Sequence, residues 1–160
     1  IVTVAEPSIE NTNKMIAHPD VRMLVATGGP GIVHTVLSSG KKAIGAGAGN
    51  PPVVVDDTAD IAHAAKCIVD GASFDNNLPC TSEKELVAVD CIADLLMFEM
   101  VKHGAYQVTD QAIIDKLVAL LVNGRHPVTD WVGKPAAQIL AAVGVQAPVG
   151  TRLVIADVDR

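Results

Sequence analysis

Cys80 is the residue of this chain best suited to covalent chemistry. It stands in a polar run, Phe74-Asp75-Asn76-Asn77-Leu78-Pro79-Cys80-Thr81-Ser82, between a stretch of helical period and a short apolar one. A thiol is the best nucleophile among the neutral side chains because it ionises most readily. Loops held by a rigid scaffold commonly carry such groups. The amides of Asn76 and Asn77 could orient a substrate oxygen or simply cap turns. Taken alone, however, a cysteine is more often explained by a structural role than by catalysis. Cys67, within a helical segment, and Cys91, at a helix start, are read as structural.

Two glycine-rich segments could approach a ligand through their backbone. Thr27-Gly28-Gly29-Pro30-Gly31 follows an apolar run and opens a helix, where free N–H groups meet an anion. It is neither a G-x-G-x-x-G fingerprint nor a Walker loop, since no Lys-Ser/Thr follows, and a plain strand-to-helix turn accounts for it as well. Gly45-Ala46-Gly47-Ala48-Gly49-Asn50-Pro51-Pro52 carries no side chain larger than a methyl group from Gly45 to Gly49. Its backbone can line a crevice, or the segment can be a hinge between domains. It offers no carboxylate, hydroxyl or imidazole for acid–base work.

The five histidines, His18, His34, His63, His103 and His126, are scattered, and none is read as standing four residues from another ligand, so no metal site is expected. His103 and His126 fall near expected helix ends. Glu83-Lys84-Glu85 reads as a solvated loop.

Short Val- and Ile-rich runs alternate with helical periods, and these elements must position the loops. Strands are expected at Ile1–Val4, Met23–Ala26, Lys42–Ile44, Val53–Val55, Leu86–Val89 and Arg152–Ile155. Helices are expected over 9–17 with Ser8 or Asn11 as cap, 31–37, from after Thr58 to about Val69, 91–101, 111–121 and 134–143. Such alternation implies βαβ crossovers and a mostly parallel sheet, an α/β fold. The continuous run Met23–Ala26 has the pattern of a buried parallel strand.

Composition narrows the function classes. Of 160 residues, 49% are hydrophobic and 19% charged, which is incompatible with disorder. Aromatics are only Phe74, Phe98, Tyr106 and Trp131, so the core must be aliphatic. A net charge of −6 leaves no basic face for nucleic acid or anionic lipid. No apolar run approaches the roughly 18 to 20 residues of a membrane span, and no signal peptide pattern opens the chain. Three cysteines without C-x-x-C spacing point away from a disulfide scaffold or zinc site and toward a reducing compartment. The chain opens on a strand pattern without a Met and stops beside another, as if cut from something longer.

Three stretches together resemble one family. They are Ala26–Gly31, Ser39–Pro52 and Ser73–Cys80, and in this order they are similar to the CoA-acylating branch of the aldehyde dehydrogenases, in particular the propionaldehyde and acetaldehyde enzymes of bacterial microcompartments. The resemblance runs along nearly the whole chain. It implies a three-layer parallel-sheet architecture, of which this chain would be an internal fragment about a third of the whole. Residues 1–44 would close a Rossmann-like cofactor domain, and residues 45–160 would open the catalytic domain. Cys80 would be the catalytic thiol, and Gly28 and Gly29 would pack under the cofactor's pyrophosphate. Gly45, also placed at the cofactor, would stand where hydrolytic relatives carry a glutamate base, unless a hinge demanding positive φ explains that glycine. NAD and coenzyme A would be cofactor and co-substrate, and a short-chain aldehyde the substrate. The alternatives are the aldehyde half of a bifunctional aldehyde–alcohol dehydrogenase, or a non-catalytic α/β assembly module. A cytoplasmic homo-oligomer, housed in a microcompartment and meeting its shell, would be expected, with no nucleic-acid or membrane partner.

Overall fold

A computed structural model describes Val4 and residues 6–47, 49–124 and 126–157. The strand expected at Ile1–Val4 lies, apart from Val4, outside the described residues. The chain divides into two compact units, Ile1–Gly49 and Asn50–Arg160.

In the first unit, α1 (Ile9–Ala17) is capped by Ser8, whose Oγ accepts the Asn11 N–H at 3.1 Å. Of the two expected caps, Ser8 therefore performs the role. β1 (Met23–Thr27) and β2 (Lys42–Ala46) pair in parallel, with Met23 opposite Lys42 and Thr27 opposite Ala46. The crossover between them is α2 (Pro30–Leu37), which starts with a proline whose missing N–H costs a first turn nothing. The pairing is as expected, but β1 is only half buried. Leu24 is buried while its strand neighbour Val25 is 69% exposed. Successive strand residues face opposite sides, so one face of this pair is covered and the other is not.

The second unit repeats the parallel crossover. β3 (Pro52–Val55) pairs with β4 (Glu85–Ala88) across α3 (Ile61–Ser73), and α4 (Asp90–Lys102) packs on α3. β5 (Ala105–Val108) then pairs in parallel with β8 (Leu153–Ala156). Between them lie α5 (Gln111–Leu121), an antiparallel hairpin of β6 (Val122–Asn123) and β7 (His126–Pro127), and α6 (Ala136–Ala142). α3 runs four residues past the expected end at Val69, to Ser73, its last turn anchored by the buried Ala72. β5 and the hairpin lack sequence expectations: four and two residues are too short for a period to register. His126 accordingly lies in β7, away from the helix end expected for it.

The core is aliphatic, as the composition requires. Ala65, Ile68 and Val69 of α3 meet Ile92, Leu96 and Met100 of α4 over Val55 of β3. The one-turn spacing of Ile92, Leu96 and Met100 places them on one helix stripe. Burying a side chain such as Leu96 stabilises the fold by roughly 1.5–3 kcal/mol. A second cluster joins Val108, Ile114, Leu117, Leu140 and Val143. The α/β class with parallel strands is the architecture expected.

Candidate active site

The turn that opens α2 is shaped by its glycines. Gly28 has φ +149, and its N–H donates to the Ala46 carbonyl at 3.2 Å, which ties the turn to the end of β2. A Cβ at Gly28 would stand 3.2 Å from Ile32 Cγ2, whereas Cβ atoms at Gly29 and Gly31 would meet nothing within 4 Å. Gly29 caps α2 with no side-chain hydrogen bond. No side chain caps the first turn of α2, whose N–H groups have no partner within the helix, the general character of a helix start that can meet an anion.

Gly45 lies in β2 with extended backbone, so a demand for positive φ does not explain it. Its reason is packing. A Cβ there would stand 2.9 Å from Val33 Cγ1 and 3.3 Å from Leu37 Cγ, both on α2. The glycine allows α2 to sit directly on the strand.

Cys80 is exposed and occupies the second position of a turn closed by Ser82 N–H to the Pro79 carbonyl at 3.1 Å. The loop before it is held in an unusual conformation: Asp75, Asn76 and Asn77 have φ of 47, 52 and 62. Asn and Asp tolerate this left-handed region best among residues with a Cβ. Asn77 Nδ2 donates to the Ala72 carbonyl at 2.7 Å and to the Glu83 carbonyl at 2.9 Å, joining the end of α3 to the far side of the loop. Asn76 Nδ2 donates to the Gly133 carbonyl at 3.0 Å. Of the two roles open to these amides, both brace the loop. The N–H groups of Cys80 and Thr81 donate to no oxygen among the described residues. A nucleophile beside an unpaired N–H can both attack a carbonyl carbon and hold the oxygen that becomes negative.

The charged run after Cys80 is not merely solvated. Lys84 Nζ donates to the Asn77 carbonyl at 3.0 Å and the Pro79 carbonyl at 3.2 Å, and Glu85 accepts from Asn50 Nδ2. Sequence reasoning missed Lys84; its only signal is a cation four residues after the thiol. A largely apolar groove of about 370 Å³ lies beside the loop, lined by Asn77, Lys84, Ile114, Leu117 and Arg152 among others, but not by Cys80.

Elsewhere, His63 and Cys67 of α3 stand four residues apart with Nε2 and Sγ at 3.5 Å, which corrects the expectation that no histidine has a potential ligand at that spacing. No group of three or more His, Cys, Asp or Glu stands together among the described residues. Cys67 and Cys91, read as structural, are both exposed. Also on α3, Asp70 receives hydrogen bonds from Lys66 at 2.5 Å and Arg152 at 2.8 Å, which hold its carboxyl down at about 2. No described helix is long and apolar enough to cross a membrane.

Residues 1–116 match the model of the aldehyde dehydrogenase family, and the chain belongs to that family. It is 49% identical over 92% of its length to the propanal dehydrogenase (CoA-propanoylating) of Citrobacter freundii, covering 32% of that protein. The solved propionaldehyde dehydrogenase of Rhodopseudomonas palustris with bound propionyl-CoA superposes with TM-score 0.92, at 56% identity, over 99% of this chain and 35% of the other. The same enzyme with bound CoA and an acylated cysteine gives 0.91, again at 56% identity, over 99% of this chain and 36% of the other. A propionaldehyde dehydrogenase from the Clostridium phytofermentans fucose utilisation bacterial microcompartment gives 0.87 at 46% identity, over 97% and 36%. The chain therefore spans about a third of the length of the relatives it matches.

Proposed function

We propose that these residues are part of an NAD-dependent, CoA-acylating aldehyde dehydrogenase that converts a short-chain aldehyde to its acyl-CoA. The observation that carries this reading is the Cys80 turn: an exposed thiol, an unpaired N–H on the same residue, and a loop braced on both sides. The Cys80 thiolate attacks the aldehyde carbon, and its backbone N–H holds the oxygen of the resulting thiohemiacetal anion. A bound nicotinamide cofactor would supply the acceptor for the hydride that this carbon gives up. A thioester remains on Cys80. The CoA thiolate adds to its carbonyl, the Cys80–carbon bond breaks, and acyl-CoA departs with the Cys80 thiolate restored. The relative with CoA and an acylated cysteine supports an acyl group carried on the thiol before CoA takes it.

Gly28 and Gly29 would approach the cofactor's pyrophosphate through backbone alone, which their open turn supports. Gly45 would lie at the cofactor as well and mark the absence of a base for water. A cofactor domain over 1–44 and a catalytic domain from 45 is the division the resemblance implies; the compact units divide a little later, at Gly49–Asn50, after the end of β2. In the full-length protein a homo-oligomer is expected, and a place within a bacterial microcompartment is supported by the origin of one relative. Full-length protein should produce NADH and propionyl-CoA from propanal, NAD and CoA. Cys80→Ala should do neither; retained turnover in that variant would overturn the reading.

A further inference from the structure

Lys84 sits in a charged run that the sequence offers as surface, yet its ammonium is held against the loop of the nucleophile. Nζ reaches the carbonyls of Asn77 at 3.0 Å and Pro79 at 3.2 Å. The Pro79 carbonyl also accepts the Ser82 N–H at 3.1 Å. That carbonyl belongs to the same peptide unit as the Cys80 N–H. A planar peptide fixes the direction of its N–H once its carbonyl is fixed. A carbonyl that accepts bonds also strengthens its own N–H as a donor, by roughly 10–30% per bond, and bonds from a cation are about twice as strong as neutral ones.

Holding the loop's shape is a separate task, and other groups perform it. Asn77 Nδ2 spans Ala72 and Glu83, Asn76 Nδ2 reaches Gly133, and Ser82 closes the turn. None of these bonds involves Lys84. We propose that Lys84 is a positioning residue: through the Pro79–Cys80 peptide it aims and polarises the N–H that holds the oxyanion formed on Cys80. The inference rests on Cys80 being the nucleophile.

The test compares full-length wild type with Lys84→Met, Lys84→Arg and Cys80→Ala. Three quantities are read: single-turnover acylation by propanal with NAD, KM for propanal, and alkylation of Cys80 by iodoacetamide. Alkylation displaces iodide at a saturated carbon and develops no oxyanion; measured at a pH where the thiol is fully ionised, so that the thiolate fraction does not enter, it reports thiol exposure and loop shape. Lys84→Met is expected to lower acylation about tenfold, less than the loss of a whole oxyanion donor. KM and alkylation should stay within about twofold, and Lys84→Arg should restore most of the rate. Acylation unchanged in Lys84→Met overturns the inference. So does a parallel fall of acylation and alkylation, which would make Lys84 a loop brace. Cys80→Ala separates the two assignments. If it still acquires an acyl group, the nucleophile is wrong whatever Lys84 does; if it does not, a failure belongs to Lys84 alone.

Discussion

At the residue scale, the position of the thiol depends on three residues that precede it. Each L-residue held in the left-handed region costs roughly 1–2 kcal/mol, and Asp75, Asn76 and Asn77 adopt it in succession. Asn77 offsets that cost with two side-chain bonds that its own amide makes. Asn77→Ala should therefore lower stability by about 1–3 kcal/mol, as unpaired carbonyls do. Urea denaturation of the full-length protein measures this, and an unchanged midpoint would mean the amide does not brace the loop. Gly45 raises a different question. Absence of a base should leave the Cys80 thioester waiting for CoA, since a positioned base typically contributes about 10²–10⁴-fold to attack by water. Wild type should release almost no free acid when CoA is present. Rapid hydrolysis without CoA would refute the missing-base account. Gly45→Glu is a compromised probe, because its side chain must displace Val33 or Leu37. The Val33→Ala/Gly45→Glu double variant makes room and is the better comparison.

At the element scale, α3 links the two halves of the site's support. Its C-terminal end carries the loop, and Asp70 on it ties to Arg152, just before β8. The Asp70 carboxyl lies at about 2, below its ordinary 3.8, chiefly through the Lys66 hydrogen bond and then that of Arg152. A depressed carboxyl favours the fold while ionised. Its contribution is full above about pH 4 and is lost as pH falls toward 2. Asp70→Asn should flatten the pH dependence of stability in that window, and an identical acid profile for both proteins would contradict the assignment. The elements themselves were legible where period or punctuation was strong. Gln111–Leu121 matches its apolar period residue for residue, and Ser8 announces α1. β5 was not, since its pairing depends on β8, far along the chain, and neither was the β6–β7 hairpin, whose two-residue strands are too short for a period to register. Cys80 was legible as a candidate from its loop, but the braces on it were not. A lysine four residues later looks like any surface charge until the chain turns its ammonium onto Pro79.

At the scale of the whole molecule, the chain exposes apolar strand residues. Val54 is 73% exposed and Val25 69% exposed, each in a two-stranded parallel pair. Exposed strand edges and apolar faces recruit other chains. The 160-residue polypeptide produced alone should therefore self-associate and show no dehydrogenase turnover. Light scattering that reports a uniform monomer, or steady NADH formation by that polypeptide, would contradict this. The central claim is that one thiol carries the acyl group between aldehyde and CoA. It is tested most directly by incubating full-length protein with propanal and NAD in the absence of CoA, then digesting it and mapping the modified peptide by mass. The account predicts a propionyl group on Cys80 that free CoA or hydroxylamine removes. A propionyl group on any other residue, with Cys80 unmodified, would contradict it.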